Sequence, residues 1–290
     1  MTIYNLGSIN ADHFYRVGHL PLPGETLAAA DYSRGLGGKG ANMSIAAARA
    51  ASRVVHVGAV GPDGGWATDY LLESGVLTQH IQRLDVPTGH AIINVDASAE
   101  NTIVLFPGAN REIALASVMA ALAEAGPQDS FVTQNETNAQ ADGLRLARSK
   151  GMRTVYAAAP FDVAAVQAAL PHIYMLVLNE VEAQQLEQAT GQRLTDLGVA
   201  DVVMTLGAEG CRWFHGKQQQ DFAAHKVTPV DTTGAGDTFT GYLLAGLDQG
   251  MPMAQAITLA QKAGAVMVTR QGTADVIPDL KDVRDAFPPE

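Results

Sequence analysis

Short apolar runs that read as strands recur along this chain, and each pair is separated by a stretch with apolar residues at helical spacing. The runs fall at 3–7, 53–60, 130–134, 153–158, 173–178 and 201–206. Helical patterns cover 41–51, 111–125, 139–150 and 181–190, and two longer ones, 235–249 and 252–270, close the chain. Such alternation predicts a doubly wound α/β fold, a mostly parallel sheet with helices on both faces. Apolar residues make up 47% of the 290 positions, enough to bury both faces of that sheet. Residues 1–290 are expected to form a single α/β domain, with no tandem repeat, low-complexity tract or obvious linker.

Two stretches break the rhythm. Residues 13–34, with Pro21, Pro23 and Gly24 at their centre, and 88–106, with alternating apolar and polar positions, read as antiparallel strands outside the main sheet. Emerging from one edge, they would make a small β-sheet lid that excludes water from a site, with Gly37-Gly38 as its hinge.

The formal net charge of −11 argues against a nucleic-acid partner. No apolar run approaches the ~18 residues of a membrane span, and no export signal precedes the first strand. The single cysteine, Cys211, sits in an apolar stretch and reads as a buried, inert thiol, which fits a cytoplasmic protein.

Chemistry concentrates in two Gly-rich turns that enter helices. In Val230-Asp231-Thr232-Thr233-Gly234-Ala235-Gly236-Asp237-Thr238-Phe239 the glycines leave room for a ligand near the backbone, and the first amides of the helix form an anion cradle. Asp237 falls in the first helical turn, where the dipole is expected to keep it ionised near neutral pH. Taken by itself, Asp237 serves equally as a helix cap or as a proton acceptor beside a phosphate. The second turn, Leu36-Gly37-Gly38-Lys39-Gly40-Ala41-Asn42, adds Lys39 and Asn42 to a second polar site. Asn10 and Asp12, just past the first strand, share a side of extended chain and suit vicinal hydroxyls, though a solvated turn would look the same. Gly35-x-Gly37-x-x-Gly40 matches a dinucleotide fingerprint but lacks the buried strand before it that the fingerprint requires.

With these turns in place, the chain resembles the ribokinase family, the PfkB carbohydrate kinases, over nearly its whole length. Gly37-Gly38-Lys39-Gly40-Ala41-Asn42 is similar to the family's N-terminal signature, Asn179-Glu180-Val181-Glu182 to its Asn-x-x-Glu motif, and Asp231 through Phe239 to its C-terminal signature. The resemblance implies an ATP:sugar kinase with ribose as leading substrate, and the exposed apolar face expected of the lid predicts a homodimer through it. Asp237 would be the base, and the Gly234, Ala235 and Gly236 amides the anion hole. Asn10, Asp12, Gly38, Lys39, Asn42 and Glu136 would hold the sugar. Asn179 and Glu182 would organise Mg²⁺ through water, Asn179, Thr205, Gly207 and Gly210 would serve the nucleotide, and Asp231, Thr233 and Gly272 would hold an activating K⁺. Without the resemblance, Glu182 is an ordinary surface helix residue, Glu136 a loop charge, and Thr205 to Gly210 a tight turn between strands. The chain departs from the family's pattern at Ala157, Gln261-Lys262 and Val276. Related kinases for fructose, keto-deoxygluconate or nucleosides, and a non-catalytic sugar sensor, are the competing expectations.

Overall fold

The computed structural model describes residues 1–98 and 100–288; residue 99 of the expected lid segment and the last two residues of the 1–290 domain lie outside the described residues. The first part of the chain holds β1 (Thr2–Leu6), β2 (Asn10–Arg16), β3 (Asp31–Gly37), α1 (Lys39–Arg49), β4 (Arg53–Val60), α2 (Gly65–Glu73) and β5 (Leu77–Arg83). There follow β6 (Gly89–Val95), β7 (Asn101–Phe106), α3 (Leu115–Ala121), β8 (Ser130–Thr133), α4 (Gln140–Ser149), β9 (Arg153–Ala157), α5 (Val163–Ala169) and β10 (Met175–Asn179). The last part holds α6 (Glu180–Thr190), β11 (Asp201–Thr205), β12 (Gly210–His215), β13 (Gln218–Ala223), α7 (Ala235–Asp248), α8 (Met253–Met267) and α9 (Leu280–Ala286).

Nine strands form one sheet in the order β13-β12-β11-β10-β9-β8-β1-β4-β5. All pairings are parallel except those of the β12–β13 hairpin at one edge. Period-2 alternation serves both faces. Ile3, Val54, Val132, Val155 and Val177 join the core beneath α1, α7 and α8, whereas Leu6, Val55, Phe131, Tyr156 and Leu176 join the core beneath α3 to α6. From β1 the chain winds outward through β4 and β5, then restarts at β8 on the other side of β1 and winds the opposite way. The crevice beyond the carboxyl ends of β1 and β8 is therefore the switch point where such sheets bind ligands.

The four remaining strands form the lid, in the order β3-β2-β6-β7. The lid differs from expectation in two respects. It is not wholly antiparallel, because β2 and β6 pair in parallel. Its first strand also begins at Asn10 rather than 13, so Asn10 and Asp12 belong to the lid itself. The expected helix at 111–125 shortens to α3, since a 3-10 turn, Gly108–Arg111, precedes it.

Helix α7 is the centre of one layer, packed between α1 and α8 and buried from Asp237 to Asp248. Its apolar character all round follows from that position. Gly241 permits the close approach to α1, as a β-carbon there would stand 2.7 Å from the Met43 carbonyl oxygen and 2.9 Å from the Ala47 nitrogen. This contact sets the starts of α1 and α7 side by side. Gly241→Val is expected to force the helices apart and cost about 1–3 kcal/mol, lowering Tm by roughly 2–4 °C for each kcal/mol lost. An unchanged Tm in calorimetry would contradict this packing.

Candidate active site

Gly234 initiates α7 with φ +73°, a left-handed conformation that favours glycine. Thr238 N–H donates to the Gly234 carbonyl at 2.8 Å, so the first helical turn closes and leaves the amides of Gly236 and Asp237 without intrahelical acceptors. Gly236 has no positive φ, and a β-carbon there would meet nothing within 4 Å. Nothing inside the fold requires glycine at 236; open space for a ligand is what the turn provides.

Asp237 is only 7% exposed. Its Oδ2 accepts a hydrogen bond from Asn42 Nδ2 of α1 at 3.0 Å, while its Oδ1 has no partner among the described residues. Burial pushes its pKa above the ordinary carboxylate range; Lys39 and the Asn42 hydrogen bond pull it back, and Glu136 and Glu182 push it further up. Burial thus opposes the helix dipole, which favours the ionised form. Lys39 is held above its usual pKa chiefly by Asp237 and stays an ammonium. Asn42 Oδ1 is buried with no hydrogen-bond partner among the described residues.

The second cluster lies on the lid side. Asn10 and Asp12 project from one face of β2, and Gly37 pairs opposite Asn10. A β-carbon on Gly37 would overlap the Asp12 carboxylate. Gly38 has φ +94°, and its β-carbon would press on the Ser8 carbonyl, so Gly38 is required by the backbone and Gly37 by the Asp12 side chain. Burial and the nearby Glu136 raise Asp12 to about 7, with Lys39 opposing. Glu136, just past β8, accepts from the Lys39 backbone N–H at 3.0 Å and from the Ser8 hydroxyl. Sequence reasoning missed the floor beneath. Asn5 Nδ2 donates to the Gly40 carbonyl at 2.8 Å and to Ser44 Oγ at 2.9 Å. Ser44 Oγ lies 2.9 Å from His56 Nδ1, and His56 Nε2 lies 3.0 Å from the Gly7 carbonyl. A carbonyl only accepts, so His56 is protonated on Nε2 and receives the Ser44 hydrogen on Nδ1. Burial depresses its pKa to about 4, which keeps it neutral.

The remaining expected residues fall into three groups. Asn179 and Glu182 form a capping box at the start of α6: Asn179 N–H donates to Glu182 Oε2 and Glu182 N–H to Asn179 Oδ1, both at 2.8 Å. Glu182 is buried rather than the surface residue its isolated reading implied; its Oε1 has no partner among the described residues. Thr205 ends β11, and Gly207 and Gly210, at φ +57° and +112°, carry the tight turn into β12. Asp231 accepts from Thr233 N–H at 2.9 Å and from Gly272 N–H at 3.4 Å, so the structure brings these three together. Beside them, Val276 Cγ1 would lie 3.1 Å from a β-carbon on Gly272. Gln261 donates to the Phe222 carbonyl at 3.1 Å, and Lys262 Nζ sits 5.9 Å from the Phe287 ring centre. Among the described residues no group of three or more His, Cys, Asp or Glu is arranged to hold a metal, and no helix is long and apolar enough to cross a membrane. Cys211 is buried, its thiol pushed up to about 12, as expected of an inert cysteine.

Residues 2–280 match the family model described as pfkB family carbohydrate kinase. The chain is 34% identical over 296 residues to the ribokinase of Haemophilus influenzae, covering 97% of this chain and 96% of that one. Among solved structures it resembles a ribokinase from Thermotoga maritima with a TM-score of 0.89 at 28% identity, covering 99% of both chains. It also resembles an Arabidopsis thaliana ribokinase complexed with ribose and ATP, TM-score 0.87 at 25% identity, covering 100% of this chain and 98% of that one.

The raised pKa of Asp12 has a consequence for stability. A carboxyl favoured in its protonated form by folding contributes stability below its unfolded pKa, and that contribution disappears as pH rises through about 7. Asp12→Asn is therefore expected to raise Tm at pH 8, by about 2 °C or more for each kcal/mol recovered, and to change it little below about pH 4, the unfolded-state pKa. A lower Tm at pH 8 would show that the Asp12 charge stabilises the fold instead.

Proposed function

The chain belongs to the pfkB family of carbohydrate kinases, and from that premise we propose that it phosphorylates the 5-hydroxyl of D-ribose at the expense of ATP. The observation that carries this reading is the buried Asp237, whose Oδ1 has no partner among the described residues, at the start of a helix in which the Gly236 and Asp237 amides have no intrahelical acceptor. The substrate choice is supported by the relatives' names and by the ribose and ATP of the Arabidopsis structure.

In this reading Asp237 Oδ1 takes the hydroxyl proton as the sugar oxygen attacks the γ-phosphorus. A bond forms between that oxygen and phosphorus while the bond to the bridging oxygen of ADP breaks, and the electron pair leaves with ADP. A base with raised pKa is better suited to receive a proton than an ordinary surface carboxylate. The amides of Gly234, Ala235 and Gly236 face the charge that develops on the phosphoryl oxygens. Lys39, Asn42, Asn10, Asp12, Glu136 and Gly38 hold the sugar, and the lid excludes water above it. Thr205, Gly207 and Gly210 border the nucleotide. Mg²⁺ arriving with ATP would be reached through water by the free Glu182 oxygen and by the Asn179 end of α6, and would neutralise phosphate charge. Asp231, Thr233 and Gly272 would hold an activating K⁺ beside the anion hole. The buried free thiol is in keeping with the cytoplasm, where ATP and reducing conditions coincide.

The reading extends to a homodimer through the lid. Ile103, Val104, Leu105 and Phe106 of the edge strand β7 are 59%, 65%, 46% and 45% exposed, a continuous apolar run that a second copy would cover. Light scattering should give twice the chain mass for the wild type and a shift towards the single-chain mass for Val104→Asp; a wild-type monomer would refute the dimer.

Catalysis is tested by ADP release with Mg·ATP against ribose, deoxyribose, fructose, keto-deoxygluconate and nucleosides, each with and without K⁺. Ribose is expected to give the highest turnover, and faster turnover with another member would move the substrate. Asp237→Asn should lower kcat by about 10²-fold or more while leaving ribose affinity within about tenfold. Retention of more than about a tenth of wild-type kcat would remove Asp237 as base.

A further inference from the structure

Asn110 lies in the 3-10 turn Gly108–Arg111, just past β7, and is 1% exposed. Its side-chain amide faces two backbone groups whose roles are fixed. The Ile9 N–H can only donate, and it reaches Asn110 Oδ1 at 2.9 Å. The Ile9 carbonyl can only accept, and it lies 3.2 Å from Asn110 Nδ2. The orientation of this amide is therefore set by chemistry, with its NH₂ on one defined side. The second Nδ2 hydrogen is directed at Asn10 Oδ1, 2.8 Å away. That contact fixes Asn10 in turn. Its oxygen is spent on Asn110, and its own NH₂ has no acceptor among the described residues and lies on the face of β2 that carries Asp12. Gly89 keeps the pair unobstructed, because a β-carbon there would overlap Asn110 Nδ2.

We infer that Asn110 is a positioning residue that sets the polarity of the sugar site by presenting Asn10 as a donor beside the acceptor Asp12. A ligand hydroxyl between them accepts from Asn10 and donates to Asp12. If Asn10 turned over, an amide oxygen would stand beside the Asp12 carboxylate, and two acceptors cannot order one hydroxyl in the same way. The inference rests on the sugar-kinase reading and adds to it a residue that does not touch the reacting atoms.

The test is a double-mutant cycle at pH 8 on the full chain, with Asn110→Asp, Asn10→Ala and the double variant. Aspartate at 110 keeps an acceptor for the Ile9 N–H but loses both donors, so Asn10 is free to turn. Asn110→Ala is run in parallel, and whichever of the two retains the wild-type Tm more closely carries the cycle. Steady-state kinetics with ribose and with ATP are measured together with equilibrium ribose binding. In the wild-type background the substitution at 110 is expected to raise KM and Kd for ribose by about tenfold or more, with kcat and the KM for ATP within about threefold. In the Asn10→Ala background it is expected to change ribose KM by less than about twofold, because its target is gone. Equal losses in both backgrounds, or an unchanged ribose KM in the first, would overturn the inference. Failure of the wild-type protein itself to turn over ribose would instead remove the reading beneath it, and is seen before any variant is made.

Discussion

The hydrogen bond from Asn42 to Asp237 joins the first turns of two helices that are 195 residues apart in the chain, and the rest of the site is organised around it. Close packing of α1 against α7 across Gly241 makes that contact possible, and it removes the Asp237 carboxylate from water. Burial disfavours the charged form of a carboxylate, so the pKa of Asp237 lies above that of a surface aspartate. Lys39, on the same turn as Asn42, offsets part of that effect by drawing the Asp237 pKa down, while Asp237 holds the Lys39 pKa up. The result is a base held between two opposed influences, with one oxygen fixed and the other open.

The same switch point supports the sugar side. β1 and β8 are neighbours whose connections run in opposite directions, so the loops leaving them diverge and open a crevice. Polar groups that would otherwise be stranded below it are paired through Asn5, Ser44, His56 and Gln134. These bonds fix the Gly7 and Gly40 backbones beside which Ser8 and Lys39 stand, and both of those donate to Glu136. A single connected arrangement thus reaches from the buried floor to the lid strand that carries Asn10 and Asp12.

Much of this was legible in the residues. The buried strands of the central sheet appear as apolar runs, and the two Gly-rich turns enter helices as their composition requires. What escaped the sequence is mostly long-range. β5 (Leu77–Arg83) is half-exposed and polar, and β13 (Gln218–Ala223) opens with three glutamines, so neither edge strand carries a core-like pattern. The parallel pairing of β2 with β6 depends on partners that local alternation cannot specify. The elevation of the Asp237 pKa arises from burial, which first-turn position alone does not reveal. Asn110 had no signal of its own, since its importance lies wholly in contacts with residues about 100 positions away. Glu182 was misjudged without the family pattern, yet its capping box with Asn179 follows the Asn-x-x-Glu spacing and could have been inferred from it.

The most direct test of the base assignment is a crystal structure of the chain with ribose and a non-hydrolysable ATP analogue. The account predicts the primary hydroxyl oxygen of ribose about 2.6–3.2 Å from Asp237 Oδ1, on the line through the γ-phosphorus, with the phosphoryl oxygens against the Gly234 to Gly236 amides. A hydroxyl held away from Asp237, or a γ-phosphate bound elsewhere than at the start of α7, would contradict it.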